Sequence, residues 1–445
     1  MYEIPGIPEE DLDNSITYAL LRRDMANFLN VGKTEKNFNQ TLDPDAYERD
    51  KERVRRAQLK STDGNTAEIY DQFYRDHKLL LVLFRVLGVM PIQRSAPGRI
   101  TFSWKSSATI YAIFFWSMMT VIVLIVARER IEILHKTKIF DDYIYSIIFV
   151  IFLVPHFWIP FVGWGVAGEV AKYKTMWGAF QVRFFRVTGS TLQFPRLKVV
   201  IVIISVACLL CAILFLLSLS VLLDGYPLWH TLAYYHIITM INMNCALWYI
   251  NSRAIRDASD SLSLRFKDDV KIECNAPMIS RYRFLWLNLS ELLQSLGNAY
   301  ARTYSTYCLF MFVNITIAIY GAFSEIFDHG FHFSFKEVGL LVDGIYCSIL
   351  LYIFCDCSHK ATLRVAQGVQ DTLLSIDLRT VDKQTKMEID LFIVAIEMNP
   401  AVVSLKGYTN VNRELLTASV ATIAIYLIVL LQFKLSLPKV ASTDY

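Results

Sequence analysis

The sequence predicts an all-α integral membrane protein of seven transmembrane helices, with its N-terminus inside, its C-terminus outside and its helices extended into the cytoplasm. Three observations carry that expectation. Of the 445 residues 54% are hydrophobic, and mean hydropathy is +0.37, above what one or two soluble cores require. The apolar residues are gathered into seven runs, each reaching the roughly 20 residues that a hydrocarbon layer about 30 Å thick demands of a helix. The Lys and Arg residues between those runs fall mostly on one side.

The first span is expected at 106–127 and the second at 143–168, where Pro155 and Pro160 are tolerable because neighbouring helices can satisfy the freed backbone groups. The third follows at 197–223. The fourth, 231–252, is the weakest, since His236, Asn242 and Asn244 interrupt it. The fifth, sixth and seventh run over 304–325, 338–358 and 414–433. The segments after the second, fourth and sixth spans carry twenty Lys and Arg; the segments on the opposite side carry seven. The basic N-terminal region belongs with the twenty, which sets the orientation. It is the reverse of a metabotropic seven-helix receptor. Residues 1–13 are acidic rather than signal-like, so the first span is expected to direct insertion.

Residues 1–70 read as a polar cytoplasmic tail, with a charged run from Asp43 to Lys60, and residues 71–445 as the seven-helix domain. Apolar residues recurring between Leu79 and Val89 predict a helix near the inner face. Outer loops are short and inner segments long. Leu285, Leu289, Leu292, Leu293 and Leu296 extend the fifth span inward as a helix, and Met387–Ile396 forms an amphipathic helix that ends before Pro400.

Several motifs reduce to structure. Gly163-Trp-Gly165-Val-Ala-Gly168 fits a dinucleotide-loop pattern but closes a membrane span without a preceding strand, so close helix packing explains it better. Cys355-Asp356-Cys357 with His359 lacks a second ligand pair at zinc-like spacing, and Asp356 is expected to form a salt bridge or to reach toward the inner surface. None of the eight cysteines falls in an outer loop, so no external disulfide framework is expected. No catalytic grouping or cofactor motif stands out, so neither an enzyme nor a nucleic-acid partner is expected.

Polar groups within spans are costly and therefore informative. Tyr234, Tyr235 and His236 of the fourth span, Asn314, Thr316 and Tyr320 of the fifth, and Asp343 and Tyr346 of the sixth lie at a similar outer depth. Such a set suits an outward-facing pocket for a small ligand; bonding between helices is the plain alternative. In the last span Tyr426, Val429, Gln432 and Phe433 share a face at i, i+3, i+6 and i+7. One helix cannot enclose a conduit, but several copies around an axis can, and an apolar ring gates ions by dewetting.

The string Ile425-Tyr426-Leu-Ile-Val-Leu-Leu-Gln432-Phe433 resembles the Thr-Tyr-(five apolar)-Gln-Phe signature of insect gustatory receptors. Ile425 stands where that signature has Thr, so the hydroxyl is absent. The stretches RDHKLLLVLFRVLGVMPI, IFLVPHFWIPFVGWGV and EMNPAVVSLKGYTNVNRELLTA resemble the carbon-dioxide-sensing branch rather than the sugar branch. The resemblance implies a ligand-gated, non-selective cation channel in the plasma membrane of chemosensory neurons. It implies a homo- or heterotetramer of related gustatory receptor subunits embedded in lipid, with final helices around one pore and ligand held in each outer bundle. Val429, Gln432 and Phe433 would form the gate, with Tyr426 and Ile425 a turn earlier; carbon dioxide is the expected ligand and a sugar the alternative. A secondary transporter is the rival of another class, weakened because no internal repeat is visible.

Overall fold

A computed structural model describes residues 69–96, 98–136, 140–222, 228–330 and 335–436. The expected tail, residues 1–70, lies almost wholly outside them. Long helices dominate because the apolar runs are long and every buried backbone group in lipid must be bonded within its own segment. In chain order they are α1 Gln72–Val86, α2 Ser107–Lys136, α3 Phe140–Thr188, α4 Leu197–Leu222, α5 Thr231–Ile272, α6 Ala276–His329, α7 Phe335–Leu374, α8 Lys383–Met398 and α9 Arg413–Ser436. A small antiparallel hairpin, β1 Gln93–Ala96 and β2 Arg99–Thr101, joins α1 to α2.

Six of these helices are long and apolar enough to cross a membrane among the described residues: α2, α3, α4, α6, α7 and α9. The fourth span belongs to α5, which falls short on composition, and its packing explains why. From Ala233 to Ser252 α5 is buried at almost every position, Asn242, Asn244 and Asn251 included. A helix sheathed by α3, α4, α6 and α7 meets protein rather than lipid, so its polar groups find partners. Asn242 Nδ2 donates to the Cys208 carbonyl at 3.3 Å, and the Tyr304 hydroxyl donates to the Asn244 carbonyl at 2.7 Å.

The helices run past the membrane length as expected. α3 is 49 residues of unbroken helix with Pro155 and Pro160 inside it, and α6 is 54 residues. α6 starts from an Asn275 cap whose side chain accepts from the Met278 amide at 3.0 Å. Its inward part holds Trp286, which donates to the Val365 carbonyl of α7 at 2.9 Å, and Arg283, paired with Glu388 of α8 at 3.1 Å. α8 begins at Asp382, whose carboxylate accepts from the Gln384 and Thr385 amides.

The glycine motif needs correction. Only Gly163 is a close-packing position: a Cβ there would come 2.8 Å from the Val89 carbonyl oxygen, whereas Gly165 and Gly168 face open space. The intervening Trp164 anchors the same loop, donating from Nε1 to the Gly88 carbonyl at 3.0 Å. Asp356 behaves as expected, pairing with Lys360 at 2.7 Å and Arg413 at 2.6 Å.

Candidate functional site: a small cavity and an uncovered final helix

A small cavity lies among α3, α4, α5 and α7, lined by Ile148, Phe149, Phe152, Phe215, Tyr234, Ile238, Gly339, Leu340 and Asp343. Its volume of about 20 Å³ suits roughly one small molecule. The walls are mainly aromatic and aliphatic because these positions face inward on apolar spans. Two polar side chains break that surface. The Tyr234 hydroxyl donates to the Phe149 carbonyl at 3.1 Å, and the rings meet edge-on at 5.8 Å. Asp343 is 3% exposed; its Oδ1 receives the Cys347 thiol at 3.8 Å, while Oδ2 is buried with no partner among the described residues. Placing an acid within a span is energetically costly.

The residues expected to form one pocket divide. Tyr234 and Asp343 line the cavity. Tyr346 stands behind it, stacked on Phe215 at 4.8 Å and donating to Asn242 Oδ1 at 2.8 Å. His236 turns elsewhere: its ring meets Phe115 of α2 at 5.4 Å and His156 of α3 at 6.0 Å. His156 Nε2 in turn bonds Thr120 Oγ1 at 2.9 Å. Tyr235 and Tyr320 are half-buried and do not line the cavity. Asn314 and Thr316 bond back to Phe310 and Phe312 carbonyls of their own helix, the structural alternative for such groups. The cavity also draws on Phe149, Phe152 and Phe215, which nothing in the sequence distinguishes from other aromatics in apolar runs.

At the C-terminal end of α2 a polar group sits close by. Arg130, 8% exposed, lies 4.5 Å over the Phe149 ring, and Glu129 pairs with the buried His230 at 2.9 Å. Phe149 therefore touches both the cavity and a guanidinium.

α9 is the second feature. Leu416, Ile423 and Leu427, at i, i+7 and i+11, turn toward the chain's own bundle, and only Ile423 is fully buried. The helix is pinned at both ends, by Arg413 to Asp356 of α7 and by Lys434 Nζ donating to the Ser324 carbonyl of α6 at 2.8 Å. Between those pins it is largely uncovered. Ile425 is 62% exposed, Phe433 66%, and Tyr426, Val429 and Gln432 are exposed with them. All five positions of the expected pore face thus lie on the open side of the helix.

The family model described as 7tm Chemosensory receptor matches residues 77–437. Gustatory and odorant receptor 22 of Anopheles gambiae is 44% identical over 389 residues, spanning 85% of this chain and 82% of that protein. Gustatory and odorant receptor 21a of Drosophila melanogaster is 43% identical over 379 residues, spanning 82% of each. Among solved structures, the insect olfactory receptor OR5 from Machilis hrabei in complex with eugenol shares the fold, with a TM-score of 0.56 at 12% identity over 82% of this chain and 99% of that one. A bundle with a sheathed fourth span, helices longer than the membrane is thick and an uncovered last helix is thus matched in sequence over most of its length: the chain belongs to the 7tm chemosensory receptor family, among the insect gustatory receptors.

Proposed function

We propose that this receptor is one subunit of a ligand-gated, non-selective cation channel that responds to carbon dioxide. It would work with related gustatory receptor subunits, as a homo- or heterotetramer, in the plasma membrane of chemosensory neurons. The observation that carries the ligand reading is the cavity of about 20 Å³. Pockets for drug-sized ligands run to roughly 300–1,000 Å³ and present several placed polar groups. A sugar needs many directional hydroxyl partners; this cavity offers one phenol already engaged and one carboxyl. Carbon dioxide is small, lacks donors and has only weak acceptors, which suits an apolar chamber with a single polar wall.

The uncovered face of α9 supports the channel reading. Four copies around an axis would present Val429 and Phe433 to one another, an apolar ring in which water is unstable and ions lose hydration. Gln432 would solvate passing cations when the ring widens, and Tyr426 and Ile425 would continue the wall one turn further in. The basic bias supports an inside N-terminus and an outside C-terminus.

Voltage-clamped cells expressing this chain with related subunits test the reading. Carbon dioxide at fixed pH should open a current, and Ile238→Phe, which fills the cavity, should abolish it while surface expression persists. An unchanged response in that variant would move the ligand out of the cavity. Ligand-coupled uptake without single-channel steps would favour a transporter. Antibody to a C-terminal tag should stain intact cells, and an N-terminal tag should not; the opposite pattern overturns the orientation.

A further inference from the structure

Away from the cavity, α1, α3 and α5 meet around a second buried polar group. Lys174 of α3 is 3% exposed. Its Nζ donates to Asn251 Oδ1 at 2.8 Å and lies 3.4 Å from His77 Nε2. The rings of Phe73 and Tyr173 cover it, with centroids at 4.7 and 5.4 Å. The groups that bond this amine are therefore an amide and an imidazole, neither of them an anion. The nearby carboxyl of Asp71 is engaged elsewhere, its Oδ1 accepting from the Tyr74 amide at 3.0 Å and from Gln181 Nε2 at 2.9 Å. His77 is fully buried; burial, and then the charge of Lys174, hold its imidazole well below the usual histidine range.

Two further polar atoms at this junction lack partners among the described residues. They are His77 Nδ1 and the hydroxyl of Tyr300, whose ring packs edge-on against Tyr173 at 6.1 Å. Buried polar groups are ordinarily hydrogen-bonded, so each of these atoms calls for a partner.

We propose that Lys174 is a carbon dioxide modification site, its amine adding to the gas to form a carbamate with His77 as the proton acceptor. The nitrogen lone pair forms the new C–N bond, and one C=O π pair moves onto oxygen. The N–H proton passes to His77 Nε2 and from there to solvent. When the lysine begins as an ammonium, its first proton leaves by the same imidazole. Nothing is oxidised or reduced, and no co-reactant is required. The side chain changes from a cation or neutral amine to an anion, and the carbamate oxygens bring new hydrogen-bond acceptors into this junction. The new anion also faces Asp71, so like charges then oppose each other where α1 packs on α3. A dry surround favours the reaction, because carbamates revert readily when water and protons have free access.

This inference rests on carbon dioxide being the ligand, and the test separates the two. Purified full-length receptor is held under ¹³C-labelled carbon dioxide, any carbamate is trapped by alkylation with a trialkyloxonium salt, and the digest is read by mass spectrometry. In parallel, currents are recorded from wild type, Lys174→Arg and Lys174→Met co-expressed with related subunits. A labelled adduct on Lys174, with carbon dioxide responses at least tenfold smaller in both variants, is expected. Wild-type channels that open to carbon dioxide without a Lys174 adduct overturn the proposal, as do variants that respond like wild type; Lys174 is then a structural ammonium. Should wild type show no carbon dioxide current, the ligand reading falls, and the adduct measurement on unmutated protein still decides the chemistry at Lys174.

Discussion

The span within α5 and the span of α9 have similar lengths and opposite surroundings. α5 carries three asparagines and a histidine between 236 and 251 yet is buried at nearly every position, whereas α9 is apolar and uncovered between its pinned ends. The difference teaches that hydropathy reports what a helix touches. Where protein surrounds a span, polar groups can be satisfied and apolarity is not needed. Where lipid or another subunit surrounds it, the side chains must be apolar to suit that contact.

Stability should follow that contrast. Trp248 of α5 is fully buried and donates to the Phe354 carbonyl and to Ser358 Oγ, both at 3.1 Å. Trp248→Ala should cost about 3–5 kcal/mol, and Ile425→Ala on α9 within about 0.5 kcal/mol for a solubilised single subunit. Thermal unfolding in detergent, followed by size-exclusion of the heated protein, measures both. Comparable losses would erase the distinction between the sheathed and the open helix.

The seat of α9 can be loosened without touching the helix. The segment before it folds back on itself, Val411 donating to the Val403 carbonyl at 2.8 Å and Leu405 to the Thr409 carbonyl at 2.9 Å, around Gly407 at φ 80°. This turn lies against α6 at Gly297, where a Cβ would come 2.4 Å from the Ser404 carbonyl oxygen. Backbone must shift to admit it, so Gly297→Ala should cost about 1–3 kcal/mol and lower surface expression. Normal expression and unaltered gating would mean the turn adapts freely.

The smallest energetic effect concerns the open face itself. Phe433→Ser or Val429→Ser should raise current in the absence of ligand by roughly threefold to tenfold, on the order of 1 kcal/mol, because a wetter ring costs less to open. Gln432→Glu should leave that basal current alone and raise calcium over sodium permeability, read from reversal potentials. Three variants with wild-type currents and ratios would take α9 out of the conduction path.

Much of the architecture was legible in the residues. Seven runs, a weak fourth span and inward extensions at 285–296 and 387–396 all follow from apolar spacing, which the bilayer constrains strongly. The hairpin at 93–101 is not legible in the sequence, because strands of three and four residues leave too short an alternation to recognise. In the cavity, Tyr234 and Asp343 stood out as polar groups in apolar surroundings, and Phe149, Phe152 and Phe215 did not, being ordinary residues for a span. His236 was grouped with Tyr234 by sequence proximity. Two positions apart on a helix is about 200° around it, and the two rings accordingly reach different neighbours. The Lys174 junction was passed over because a lysine just beyond a span reads as one more inner-side charge; only the approach of α1 makes it a buried one.

α6 supplies a mechanical consequence. Its 54 residues make a rod about 80 Å long, gripped near one end by Lys434 of α9 at Ser324 and near the other by Glu388 of α8 at Arg283. With no break in the helix between those grips, it has no joint in which a rotation could be lost. A tilt of about 2° about its middle carries each end roughly 1.4 Å in opposite directions, given that length. Displacement applied beside the final helix therefore arrives at the Arg283 end with its sign reversed and its size intact, the behaviour of a lever rather than of a spring.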